Sequence, residues 1–151
     1  MIKLATKSDI EEIQNLLLED TESYQKLAMT GCFEAKENDM WNVMFVSKHG
    51  TAILGFIKAI FYSDPGRVYI SGVYTNKQYR KKGVARELMK YLLNFADKAW
   101  THMFISGVTL DNPASEALFK SCGFDNMGTI KKATYKNGWL GNTHWWKKGN
   151  I

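Results

Sequence analysis

The segment Gln78-Tyr79-Arg80-Lys81-Lys82-Gly83-Val84-Ala85 has the residue types and spacing to do chemistry. One glycine and one alanine follow a run of bases, and Arg86 adds a fourth base beside them. Small residues let a backbone come close to a ligand, and a helix beginning at Val84 aims its first N–H groups at whatever sits there. Such a terminus carries about half a positive charge and takes phosphate readily. A [R/K/Q]-x-x-G-x-[G/A] pattern is common by itself, so its meaning comes from the strand before it and the helix after it. The chain has neither the G-x-x-x-x-G-K-[ST] of a nucleotide P-loop nor the G-x-G-x-x-G of a dinucleotide fold.

Other reactive side chains are sparse. His49, His102 and His144 are the only histidines, and His144, beside Trp145 and Trp146 in the final strand, reads by position as a solvent-facing hairpin residue. Tyr74 and Tyr135 are candidate proton donors, although tyrosines at strand positions more often pack within the sheet. No grouping of His, Cys, Asp and Glu has metal-ligand spacing, so no metal is expected. Cys32 and Cys122 form no C-x-x-C pair and read as reduced packing residues. Lysines interleaved with Trp41, Trp100, Trp139, Trp145 and Trp146 could make a surface for single-stranded nucleic acid. Those tryptophans fall within strands or beside a helix, which favours packing.

The elements that must hold the basic turn follow from periodicity. Ile2 to Ala5 reads as a short strand, and Ser8-x-x-Glu11 as a capping box opening a helix with Ile10, Ile13, Leu16 and Leu17 on one face. Residues 20 to 40 are polar and irregular, with room for a second short helix. Trp41 to Val46 and Ala52 to Tyr62 read as strands joined at His49-Gly50, and Asp64-Pro65-Gly66 leads to a third at Arg67 to Tyr74. Val84 to Trp100 has one apolar face, marked by Val84, Leu88, Leu92, Phe95, Ala96 and Ala99. Met103 to Val108 is another strand. Asn112 to Cys122 is a helix with Pro113 at its first position and Gly123 as its stop. Gly128 to Tyr135 and Trp139 to Trp146 form a hairpin turning at Asn137-Gly138. A meander followed by strand, helix, strand, helix and hairpin predicts an α+β (mixed α/β) fold, a mostly antiparallel sheet with helices on both faces.

Composition agrees with a globular unit. The 151 residues are 45% hydrophobic and 23% charged with two prolines, and length and the absence of repeats point to a single domain over 1–151. The longest apolar stretch, Ile53 to Tyr62, is interrupted by Lys58 and is too short for a membrane helix. The first twelve residues lack the apolar core of a signal peptide, so a cytoplasmic location is expected. Charge is uneven. Residues 1 to 39 hold nine of the fifteen acids against four lysines, a net of −5, and the rest hold sixteen bases against six acids, a net of +10. A basic two thirds suits an anionic, phosphate-bearing ligand, and an acidic first third can face a cationic one.

Val73-Tyr74-Thr75 followed by Gln78 to Ala85 resembles the acyl-CoA pyrophosphate motif of the GNAT superfamily of N-acetyltransferases. Val108-Thr109-Leu110-Asp111-Asn112-Pro113-Ala114-Ser115, then Leu118-Phe119 and Cys122-Gly123-Phe124, is similar to the superfamily's later strand-helix unit. Gly128-Thr129, Tyr135-Lys136, Gly138-Trp139 and Trp146-x-Lys148 are similar to the C-terminal hairpin of its phosphinothricin and L-amino-acid branch.

The resemblance implies acetyl-CoA as co-substrate. Arg80, Lys81, Lys82, Gly83, Val84, Ala85 and Arg86 would hold the pyrophosphate. Val73, Tyr74 and Thr75 would pair with the pantetheine arm, and Asn112, Ser115 and Phe119 would complete the binding site. Two positions depart from the family pattern. Phe119 stands where many members place a tyrosine, and the phosphinothricin branch a histidine, to protonate the leaving thiolate. In the phosphinothricin branch a glutamate on the central strand helps deprotonate the amine, and the nearest positions here, Ile70 and Ser71, are not bases. Tyr74 and His144 are then the candidate catalytic groups. The expected acceptor is a primary amine of a small molecule, with no nucleic acid and no membrane as partner, and a homodimer stays open. The rival readings are an acyl-CoA-binding module without catalysis and a basic nucleic-acid-binding protein.

Overall fold

The computed structural model describes residues 1–19, 40–62, 66–98, 101, 103–109, 112–136 and 139–149. Seven strands form one sheet: β1 (Ile2–Leu4), β2 (Met40–His49), β3 (Ala52–Tyr62), β4 (Arg67–Thr75), β5 (Met103–Thr109), β6 (Asp125–Lys136) and β7 (Trp139–Gly149), in the order β1-β2-β3-β4-β5-β7-β6. Every neighbouring pair is antiparallel except β4 with β5. That parallel pair needs a crossover, which α2 (Val84–Lys98) provides. Among the described residues the other α-helices are α1 (Lys7–Glu19) and α3 (Pro113–Ser121).

Alternation along the central strands sends side chains into two cores. Phe45, Ile57, Ala59, Phe61, Val68 and Ile70 pack on one face against Val84, Leu88, Met89, Leu92 and Ala96 of α2 and Phe119 of α3. Met44, Val46, Ile53 and Phe56 face the other way, against Ile10, Ile13 and Leu17 of α1. The expected mixed sheet with helices on both faces is therefore present. Among the described residues, no helix is long and apolar enough to cross a membrane, and no group of His, Cys, Asp and Glu could hold a metal ion.

The start of α1 differs from the reading of Ser8 and Glu11 as its capping box. The reciprocal bonds run between Thr6 and Asp9: the Thr6 N–H donates to Asp9 Oδ2 at 2.8 Å, and the Asp9 N–H to Thr6 Oγ1 at 3.3 Å. Asp9 wins because its carboxylate is also held by Lys48 Nζ at 2.8 Å, with Lys3 Nζ at 3.7 Å. Burial alone would raise its pKa, but the Lys48 and Thr6 hydrogen bonds prevail and bring it to about 2. The same bond to Asp9 raises the pKa of Lys48.

The β2–β3 loop is Gly50-Thr51 rather than His49-Gly50, since His49 pairs with Ala52, and Gly50 has the positive φ of 61° that a two-residue hairpin asks of its first residue. The last hairpin begins at Asp125, three residues earlier than periodicity suggests. The proposed short helix in 20–39, the turns at 64–65 and 137–138, and Ala99, Trp100 and His102 lie outside the described residues.

Candidate functional site

The site is built around an early parting of β4 and β5. Their register covers Arg67↔Met103, Val68↔Phe104 and Tyr69↔Ile105 and goes no further. On its other side β4 stays paired with β3 as far as Thr75, with a register shift that leaves Ser71 as the extra residue between Ile70 and Gly72. Past Ile70 the β5-facing edge of β4 thus has no strand partner among the described residues. A cavity of about 80 Å³ occupies the fork, lined by Ile70, Ser71, Gly72 and Val73 of β4, Ser106, Gly107 and Val108 of β5, and Asn112, Ser115 and Phe119.

Asn112 caps α3: its Oδ1 accepts from the Ser115 N–H at 3.2 Å, so its Nδ2 is the end of the amide left for a ligand. Pro113 at the first helical position costs no hydrogen bond there. Phe119 is 3% exposed and meets Phe124 edge-on at 4.9 Å between centroids. Its ring lines the cavity and brings no proton.

Beyond the open edge the chain makes a 3₁₀ turn (Lys77–Tyr79) and then a tight loop in which Lys81 (φ 64°) and Gly83 (φ 82°) are both left-handed. Alternating handedness of this kind turns successive N–H groups inward to make an anion-binding hollow. The Glu87 N–H donates to the Gly83 carbonyl at 3.0 Å, so α2 starts here, and its first N–H groups have no acceptor within the helix. Nothing lies within 4 Å of where a Gly83 Cβ would be, so the approach is open. Arg80 ties this loop to β4: its Nε donates to the Thr75 carbonyl at 3.0 Å and its guanidinium lies 5.7 Å from the centre of the Tyr74 ring. Lys82 Nζ sits 5.9 Å from the Tyr79 ring.

A model of the acetyltransferase (GNAT) family matches residues 10–124. The chain belongs to that family. No curated protein matches the chain. The fold is similar to that of an N-acetyltransferase from Staphylococcus aureus Mu50, with a TM-score of 0.82 and 21% identity over 99% of this chain and 97% of that one. It is also similar to the ribosomal-protein-S18-alanine N-acetyltransferase of Escherichia coli (TM-score 0.80, 13% identity, 99% and 92% covered). A third similar structure is the spermidine N-acetyltransferase of Vibrio cholerae in complex with CoA and spermine (0.80, 18%, 99% and 94%). At these identities the likeness is one of fold.

In this GNAT acetyltransferase, Val73, Asn112, Ser115 and Phe119 come together around one cavity. Arg80 to Arg86 form the neighbouring turn. Tyr74 stacks on Phe56 at 5.6 Å and packs against the α1-side core. His144 faces Val108 and Thr129 in register, but its side chain lies outside the described residues, as does that of Tyr135. Sequence reading missed Gly72, Ser106, Gly107 and Val108 as cavity residues. Ser106 had a signal: a hydroxyl between Ile105 and Gly107, in a strand whose other even positions, Phe104 and Val108, are buried and apolar.

Proposed function

We propose that this acetyltransferase moves an acetyl group from acetyl-CoA to a primary amine of a small molecule by direct attack, with the whole chain acting as one domain. The observation that carries this reading is the early end of the β4–β5 register, past which β4 runs from a cavity at one end to an open, left-handed, basic turn at the other. A long ligand with an acyl end and a phosphate end fits that order of features.

Acetyl-CoA, when bound, supplies the activated thioester. The N–H groups of the Lys81 to Arg86 turn hold its pyrophosphate, with the charges of Lys81, Lys82 and Arg86 around them. The Val73 to Thr75 edge takes the pantetheine arm as an added strand. One of its N–H groups serves as an oxyanion donor, a role whose loss costs roughly 2.7 to 4 kcal/mol in a well-studied protease. Asn112 Nδ2 donates to the pantetheine amides. A neutral amine then forms the C–N bond to the acetyl carbon as the C–S bond breaks, and the proton that the attacking nitrogen sheds ends on the departing thiolate. Phe119 packs against the reacting end without donating, so Tyr74 and His144 are the groups to test for proton transfer, which typically contributes 10² to 10⁴-fold.

The acceptor is a cationic amine. The net −5 of residues 1–39 supports this, and so does the spermine in the Vibrio cholerae structure. Acetyl-CoA consumption measured against polyamines, amino acids, aminoglycosides and peptide N-termini tests the proposal. Turnover with none of them, together with a thermal shift on acetyl-CoA, favours the second reading that Phe119 motivates, an acyl-CoA-binding module without catalysis.

A further inference from the structure

Ile70 is the first residue on β4 past the last register pair, and its carbonyl accepts from the hydroxyl of Ser106 at 2.8 Å. Continued pairing would have sent this carbonyl to a β5 backbone N–H. A side chain takes it instead, so the strands separate without stranding a buried carbonyl. Ser106 is 3% exposed and lines the cavity, as do Ile70 before the bulge and Ser71 within it. With its proton committed to Ile70, its oxygen has only acceptor capacity left for the cavity. It therefore cannot protonate a thiolate.

We propose that Ser106 is the positioning residue that fixes where β4 and β5 part, and so sets the depth of the acyl pocket for a two-carbon acyl group. This rests on the acetyl-CoA reading above. The bridge holds the floor of the fork at one height. Losing it frees the Ile70 carbonyl and the volume of the hydroxyl together, and the floor drops or shifts. A longer acyl group then fits better, and the two-carbon group is held less well against the oxyanion donor.

The test compares the full chain with Ser106→Ala and Ser106→Thr, the second of which keeps a hydroxyl. Three readouts are taken: calorimetric affinity for CoA, kcat and KM with acetyl-CoA and propionyl-CoA, and amide exchange without ligand. The expected result is that Ser106→Ala narrows the acetyl over propionyl preference by about tenfold, the scale of one methylene in a pocket. Its kcat with acetyl-CoA falls while CoA affinity holds, and Ser106→Thr restores the preference. Amides of residues 70–73 and 106–108 exchange about fivefold faster in the alanine variant, with β2 and β3 unchanged. An unchanged acyl preference in a folded, active alanine variant overturns the proposal, as does a threonine variant that behaves like alanine. Faster exchange at the fork in a protein that binds no CoA would leave the bridge standing and overturn the acyl role along with the acetyl-CoA reading.

Discussion

Gly83 offers a test in which stability and ligand affinity should move in opposite directions. Its φ of 82° is left-handed, and its missing Cβ would meet nothing within 4 Å. Gly83→Ala therefore pays for backbone handedness without a clash within the protein, about 1 to 2 kcal/mol. For a chain of this length that corresponds to a fall in Tm of roughly 2 to 8 °C. Gly83→Glu pays the same backbone cost but places a carboxylate at the start of α2, where a negative charge regains about 0.3 to 1 kcal/mol. The glutamate variant should therefore melt at or slightly above the alanine variant. Its affinity for CoA should nevertheless be at least about tenfold lower than alanine's, a difference of ~1.4 kcal/mol, because the added charge meets the phosphates. Thermal melts and calorimetry on the three proteins decide it. If the glutamate variant binds CoA as tightly as the alanine variant, the turn is not the phosphate site.

Acid stability should depend on Asp9. Its pKa of about 2, against 3.8 ordinarily, means that its contribution, on the order of 2 kcal/mol, is present above pH 3.8 and is lost as pH falls towards 2. Urea titrations from pH 5 to 2 should show a shallower loss for Asp9→Asn, and parallel curves would refute the assignment. Phe119→Tyr should leave kcat unchanged or raise it, whereas Phe119→Ala should cost about 3 to 5 kcal/mol of stability. A large kcat loss in the tyrosine variant would show that the apolar ring itself is required. Matched cationic and anionic amines, compared by kcat/KM at low and high salt, should show a cationic advantage that shrinks as salt screens the field. Equal values, or an anionic advantage, would defeat the electrostatic argument.

The sequence revealed most where one residue's neighbours along the chain decide its state. Periodicity located α2 closely because it has one apolar face, and the β2–β3–β4 meander was legible as apolar runs separated by turn residues. The cap of α1 was misplaced because its outcome depends on Lys48, 39 positions beyond Asp9, and no local pattern carries that partner. Asn112 was legible as the opening of α3, since the Asn-Pro pair is a local signal. The fork was not legible. Whether β4 and β5 pair for three residues or seven depends on the Ser71 bulge and on a bond between residues 36 apart. The left-handed Lys81 was also missed, because only the glycine beside it signals that geometry in sequence.

The short register between β4 and β5 also bears on how the molecule assembles. On one side of it lie β1 to β4, and on the other β5, β7 and β6; within each group the strands are antiparallel. Across the boundary run three backbone register pairs, the Ser106 bridge and the packing of α2 and α3. Contacts across it span α2 and its flanking turns, so they carry a larger loop-closure cost than the β2–β3 hairpin and should form late. The seam should then be among the first places to open in the native protein. A ligand lying along it would clamp the two groups together, so acetyl-CoA should slow unfolding more than it speeds folding.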